Sequence, residues 1–266
     1  MKLIDIGCNL THDSFSKDRD AVIERAHEAG VVQMVVTGAS KDGSSAALKL
    51  VKKHPGELFS TAGVHPHRAT EFDDETDRFL RKLCQHQGVV AVGEMGLDYF
   101  RDFSPRDVQR DVFQQQLQIG IDTGLPVFLH MRDAHEDFHA MLREVRDRLS
   151  RVVVHCFTGG KKELDDYLSA GFHIGITGWV CDQRRGQPLR DIVTRVPLSR
   201  LLIETDAPYL LPHNAPANEV ATRNKRRNEP ALLKYVVAQL AQLYGTDELA
   251  IVTATSRNAT ELFDWE

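Results

Sequence analysis

The chain has only four cysteines, Cys8, Cys84, Cys156 and Cys181, and no two of them form a CxxC pair. That scatter excludes a zinc ribbon or a disulfide framework and suits a reducing compartment. Long apolar runs are missing too: none approaches the roughly 18 residues of a membrane-spanning helix, so no membrane contact is expected. The N-terminal Met1-Lys2-Leu3-Ile4-Asp5 leads directly into a strand pattern, and Asp5 interrupts any signal-peptide core, so the expected location is cytoplasmic. Positive charge is not in excess. Lys plus Arg number 33 against 38 Asp plus Glu, a formal net charge of −5. A polyanionic substrate would have to be met by local basic clusters, because no global field draws it in. Low-complexity tracts and domain-splitting linkers are absent, and 1-266 reads as one domain. With no long apolar surface helix to suggest an obligate partner, a monomer is expected.

What is present is a regular alternation of short apolar runs and helical patterns. The runs are Leu3 to Ile6, Val31 to Thr37, Leu58 to Val64, Val89 to Glu94, Val127 to His130, Val152 to His155, Phe172 to Thr177 and Leu201 to Glu204. Between them lie helical patterns. Phe138, Leu142, Val145 and Leu149 recur at i, i+4, i+7 and i+11 and predict a helix over Ala134 to Leu149. Ser104-Pro105 has the signature of a helix start running to about Asp122, and Gly30 that of a helix C-cap. Further helices are expected near Leu189–Val196, Glu229–Tyr244 and Thr246–Phe263. Eight strand signals alternating with helices in this length predict an α/β fold, a (β/α)8 TIM barrel; an open doubly wound sheet is the alternative.

Four runs end on an ionisable group: Glu94, His130, His155, and the pair Glu204 and Asp206, expected on one face of the strand end just before Pro208. A barrel gathers such tips into one mouth at the C-terminal face, where barrel active sites lie. Imidazoles and carboxylates together suit Mg²⁺, Mn²⁺ or Zn²⁺, with carboxylate-rich sets leaning toward the harder ions. His65 and His67 follow the third strand and would bind a phosphate, protonate a leaving group or cap the loop. Glu204 would reach the site or fill a layer inside the barrel. Basic clusters follow the seventh and eighth strands, at Arg184-Arg185 and at Arg223, Lys225, Arg226 and Arg227, with Arg132 just past His130. Such loops commonly bind phosphate in barrels, and Arg suits phosphate oxygens. Trp179 would stack on a base or cover the mouth. Cys156, next to His155 on a strand, should point to the opposite face and serve packing.

The segments Gly-Val-His-Pro (63–66), Gly-Glu-Met-Gly-Leu-Asp (93–98), Pro-Val-Phe-Leu-His (126–130), His-Cys-Phe-Thr-Gly (155–159), Glu-Thr-Asp-Ala-Pro (204–208) and Arg-Asn-Glu-Pro (227–230) occur in order. Together they resemble the TatD family of metal-dependent deoxyribonucleases, nearly end to end. The resemblance implies a metal-dependent hydrolase of the TIM-barrel type with ligands Glu94, His130, His155 and Asp206. It implies a 3′→5′ exonuclease acting on single-stranded DNA or frayed 3′ ends, with RNA as a further substrate and a role in DNA repair or fragment degradation. The cofactor is a divalent metal, Mg²⁺ foremost, with Mn²⁺ or Zn²⁺ as alternatives. Many relatives begin with a strand ending His-x-His; here Gly7 and Asn9 stand at those positions. That departure points to one firmly held ion on Glu94, His130 and His155, with Glu94 and Asp206 helping a looser second one. Chemically, Asp206 is either a ligand or the general base for a metal-activated water, with Glu94 beside it. Two other readings of the same scaffold are an ester or amide hydrolase, such as an aminoacyl-tRNA deacylase, and a barrel that has lost catalysis.

Overall fold

The computed structural model describes residues 2–219 and 227–265. Eight strands, β1 (Leu3–Cys8), β2 (Val31–Val36), β3 (Leu58–Ala62), β4 (Val89–Asp98), β5 (Val127–Arg132), β6 (Val152–Val154), β7 (His173–Ile176) and β8 (Leu201–Ile203), pair in parallel and in chain order. The last strand returns beside the first. The Asp206 amide donates to the Gly7 carbonyl at 2.8 Å and the Asn9 amide to the Ala207 carbonyl at 2.7 Å. Sequential order with the ends joined is a (β/α)8 TIM barrel and rules out the open doubly wound sheet.

Strand parity divides the apolar residues into two cores. Ile4, Ile6, Val35, Val90, Phe128, Val153 and Leu202 fill the barrel interior. Their strand neighbours, such as Leu3, Val36, Val152, Val154, Leu201 and Ile203, face the helical shell. Burial on both faces explains why the strands read as nearly continuous apolar runs. The shell comprises α1 (Arg19–Glu28), α2 (Lys41–Val51), α3 (Asp74–Leu83), α4 (Arg106–Thr123), α5 (His135–Val145), α6 (Lys161–Ser169), α7 (Gln187–Arg190), α8 (Leu233–Tyr244) and α9 (Glu248–Phe263). Ala259, Leu262 and Phe263 of α9 join the interior cluster and plug the barrel at the end away from the charged tips. No described helix is long and apolar enough to cross a membrane.

Several expectations shift at their edges. Gly30 follows α1 at φ +90°, as a C-cap glycine should. Ser104 does not cap α4: Pro105 holds the cap position, and the Ser104 hydroxyl donates instead to the His67 carbonyl at 3.2 Å. The helix expected over Ala134–Leu149 stops at Val145 and tightens into a 3₁₀ turn over Arg146–Arg148. The one expected near Leu189–Val196 breaks into α7 and a 3₁₀ turn, Val193–Arg195. The β-branched run Ile192-Val193-Thr194 and the following Pro197 disfavour a continuous helix there.

Candidate active site

The C-terminal halves of β4 and β5, the end of β6 and the turn after β3 converge on one carboxylate oxygen. Glu94 Oε1 lies 2.8 Å from His155 Nε2, 3.1 Å from His130 Nδ1 and 3.2 Å from His65 Nε2. The far nitrogen of each ring is already committed. His155 Nδ1 faces Glu204 Oε2 at 3.3 Å, and His130 Nε2 faces Asp98 Oδ2 at 3.3 Å. His65 Nδ1 accepts the His67 amide at 3.1 Å. These contacts assign tautomers. With Glu204 accepting from the Nδ1–H of His155 and Asp98 from the Nε2–H of His130, the remaining nitrogens donate to Glu94 while the rings are protonated, and would turn lone pairs to a cation once that second proton is released. His65 is the reverse case: its Nδ1 is an acceptor, so its Nε2 is a hydrogen-bond donor. Ligand-capable atoms of His65, Glu94 and His130 lie within 4.8 Å of one another. The tautomer argument favours His130 and His155 as the nitrogen ligands and gives His65 an N–H to offer.

The electrostatics follow from burial and neighbours. Burial opposes the charge of Glu94, but the imidazoles of His65 and His155, with hydrogen bonds from His130 and His155, outweigh it and hold the carboxyl far below its usual range. Burial likewise opposes charge on His155, yet Glu94 and Glu204 raise its proton affinity well above normal. His130 is raised more modestly, through Asp98 and Glu94 working against burial. His65 goes the other way, pushed down to about 4, chiefly by burial. Asp206 is pushed up to about 7, first by burial and then by Glu94 and Glu204, against the opposing charge of His155.

Asp98 is a member of the site that motif reading passed over. It is buried, accepts from His67 Nε2 at 2.7 Å as well as facing His130, and takes the amides of Phe100 and Arg101 at 3.0 and 2.8 Å. The available signal was its place four residues after Glu94 on a strand that runs on through Met95, Gly96 and Leu97.

Glu204 and Asp206 do not share a face as expected. The ladder of β8 ends at Ile203, and Asp206 adopts φ +52°, a left-handed conformation that breaks strand alternation. Asp206 reaches the rim, where Asn9 Nδ2 donates to its Oδ1 at 2.9 Å. Glu204 is fully buried beneath His155 and also accepts the Cys156 amide. Its carboxylate fits because Gly7 and Gly175 flank it: a Cβ at either position would overlap a Glu204 oxygen. The two residues standing where relatives carry His-x-His thus serve the β8 carboxylates, Gly7 by making room and Asn9 by hydrogen bonding. Glu204→Gln keeps the shape but weakens the acceptor that orients His155. The expected loss in metal affinity or turnover is about 10- to 100-fold, with an unchanged fold. Calorimetric metal titration within twofold of wild type would assign Glu204 to packing alone. Cys156 lies beyond the end of β6 at φ +48°, so strand alternation is not what disposes of it. Burial and the nearby carboxylates of Asp206 and Glu204 hold its thiol protonated, which argues against a nucleophile.

The arginines divide sharply. Arg227 is not at the mouth but buried: Nη1 and Nη2 bind Asp18 at 2.8 and 2.7 Å, and Nη2 binds Glu229 at 2.6 Å. This corrects its expected phosphate role; the β8–α8 segment uses it to fasten onto the segment before α1. Arg185 pairs with Asp182 at 2.8 Å and lies 4.5 Å from the Trp179 ring centre, so its charge is offset and the ring is partly covered. Arg184 is exposed, with only its amide engaged, by Asp182. Arg132 sits 4.6 Å from the Phe100 ring centre and 5.9 Å from that of Trp179. Arg223, Lys225 and Arg226 lie outside the described residues. A second group, His135, His139 and Asp166, bridges α5 and α6, but Lys162 already engages Asp166 at 3.1 Å, making it an interhelical ion-pair contact.

Fold and site together define a TIM-barrel protein whose mouth gathers imidazoles and carboxylates, a donor set that suits a metal ion. The TatD related DNase family model matches residues 4–264, and the chain belongs to that family. It is 47% identical over 262 residues to a protein of Erwinia tasmaniensis named 3′-5′ ssDNA/RNA exonuclease TatD, covering 98% of this chain and all of that one. A protein of the same name from Enterobacter lignolyticus is 46% identical over 261 residues, 98% of each chain. Among solved structures, the TatD homologue YJJV of Escherichia coli K12 superposes with a TM-score of 0.89 at 28% identity, covering 99% of this chain and 98% of that one. A TatD family hydrolase of Entamoeba histolytica gives 0.88 at 27%, with the same coverage.

Proposed function

We propose that this protein is a divalent-metal-dependent 3′→5′ exonuclease that hydrolyses phosphodiester bonds in single-stranded DNA and RNA. The observation that carries the reading is the convergence of His130 Nδ1 and His155 Nε2 on Glu94, with the opposite nitrogens backed by Asp98 and Glu204. Kinship to exonucleases nearly half identical over the whole chain supports it. Glu94, His130, His155 and Asp206 would hold the cation, and their mixed nitrogen and oxygen donors suit Mg²⁺ or Mn²⁺, with Zn²⁺ as a further candidate. When bound, such an ion lowers the pKa of a coordinated water and offsets charge on the reacting phosphoryl group.

The residues supply the rest. Asp206 Oδ1 is tied to Asn9, which leaves Oδ2 either to help hold the cation or to take a proton from the attacking water. His65 Nε2–H, which meets Glu94 in this structure, would turn to a phosphoryl oxygen once a cation takes its place on that carboxylate. His67, held by Asp98 and more open to solvent, would protonate the leaving sugar oxygen as the P–O bond breaks. The four cysteines are all unpaired, in keeping with a cytoplasmic enzyme.

The test is 5′-labelled single-stranded DNA with Mg²⁺, Mn²⁺ or EDTA, beside a His155→Ala variant. A metal-dependent ladder shortening from the 3′ end, lost in EDTA and in the variant, is expected. Intact DNA with folded, metal-loaded protein would turn the assignment to ester or amide hydrolysis.

A further inference from the structure

Two of the largest exposed apolar side chains in the described residues share one loop beside the candidate active site. Phe100 is 54% and Phe103 67% exposed, and both lie in the short loop between β4 and α4. Leaving two phenyl rings in water is unfavourable, by roughly 25 cal/mol per Å² of apolar surface. The loop does not present them loosely. Asp98 takes the amides of Phe100 and Arg101, while Gln109 Nε2 binds the Asp98 and Ser104 carbonyls at 3.2 and 2.8 Å. The Ser104 hydroxyl ties the loop to His67. The carboxylate that backs His130 therefore also anchors the exposed rings.

From there a file of rings leads inward. Phe103 meets His67 edge-on at 4.8 Å, His67 meets His65 at 4.2 Å, and His65 Nε2 contacts Glu94. Beside the file, the Arg132 guanidinium lies between Phe100 and Trp179, and no carboxylate pairs with it among the described residues. The neighbouring Arg106 and Arg185 are neutralised by Asp102 and Asp182.

Resting on the nuclease reading, we propose that Phe103 is the stacking platform for an unpaired base of the substrate strand, and that Arg132, held by Phe100 and Trp179, receives a phosphate of that strand. An exposed ring against His67, and an unneutralised guanidinium over Phe100 three residues earlier in the same loop, match a base joined to a phosphate. A purely apolar partner would leave Arg132 without a counter-charge. Every base has a π-face, so the platform is tolerant of sequence. In a duplex those faces are already stacked, so it selects single strands.

The test is a coupling cycle on binding, measured by fluorescence anisotropy in EDTA so that no turnover is needed. Wild type, Phe103→Ala and Phe103→Trp are titrated with a labelled single-stranded oligonucleotide and with one whose last three 3′ positions are abasic. Phe103→Ala should weaken binding of the intact strand about tenfold, the abasic strand should show no further loss on substitution, and Trp should restore affinity. Arg132→Ala should weaken both strands and lower the salt slope by about one. Equal weakening of both strands by Phe103→Ala, or none, overturns the platform. Cleavage by wild type with Mg²⁺ reads the nuclease assignment separately: base-coupled binding without cleavage would sink the reaction and leave the platform standing.

Discussion

Glu94→Gln should lower kcat/KM on single-stranded DNA by about 10³-fold, at every Mg²⁺ concentration, while leaving the protein folded. Glu94 Oε1 is the one atom that three imidazole nitrogens approach within 3.2 Å. The substitution preserves volume but removes the negative charge, and it can put an amide NH₂ where imidazole N–H groups converge. A cation and the phosphoryl charge it offsets are worth several kcal/mol of transition-state stabilisation, and each ~1.4 kcal/mol is tenfold in rate. Glu94 also holds up the proton affinity of His130 and His155, so the variant changes their charge as well. Steady-state kinetics across a metal titration, with circular dichroism as the folding control, checks this. More than a tenth of wild-type activity at saturating metal would remove Glu94 from the centre of the mechanism.

Arg227→Ala should cost about 3 kcal/mol of folding stability and change the KM for DNA by less than threefold. The guanidinium is buried over the Phe15 ring at 4.8 Å and spends both terminal nitrogens on Asp18, Glu229 and the Ser14 carbonyl. Removing one partner from a buried pair costs roughly 3–5 kcal/mol because the other charge stays behind. The lower end applies here, since Arg25 still binds Glu229 at 2.8 Å and Asp18 is partly in solvent. Urea unfolding reads the loss, with Arg184→Ala as an exposed control expected within about 0.5 kcal/mol of wild type. A phosphate ligand would behave oppositely, with stability intact and KM raised in a salt-dependent way.

The contrast marks what sequence can and cannot disclose. Glu94, His130 and His155 were legible because each ends an apolar run, and a barrel makes run ends neighbours. Arg227 sat in a basic stretch that looked like a phosphate loop; its partner Asp18 lies 209 positions away, beyond any local pattern. Asp98 was hidden because the strand continues through Gly96 instead of stopping at Glu94. The disposition of Glu204 and Asp206 turned on a single left-handed residue, which period-two reasoning has no means to anticipate. Gly7 and Asn9 looked like losses on paper; beside Glu204 and Asp206 they read as accommodations.

The seam where β8 meets β1 bears on how the protein comes into being. Thr205 hydrogen-bonds Asp5 through both its amide and its hydroxyl, and the Asp206 amide reaches Gly7, so the last strand is pinned to the first by residues adjoining the acid at the rim. A nascent chain that has emerged as far as β6 carries His65, Glu94, His130 and His155 but neither β8 carboxylate. The ribosome has to deliver the final strand, and that strand has to find the first, before the constellation is whole. Barrel closure and completion of the cluster are therefore one event in this architecture, because the same hydrogen bonds that seat the last strand on the first bring in its acids.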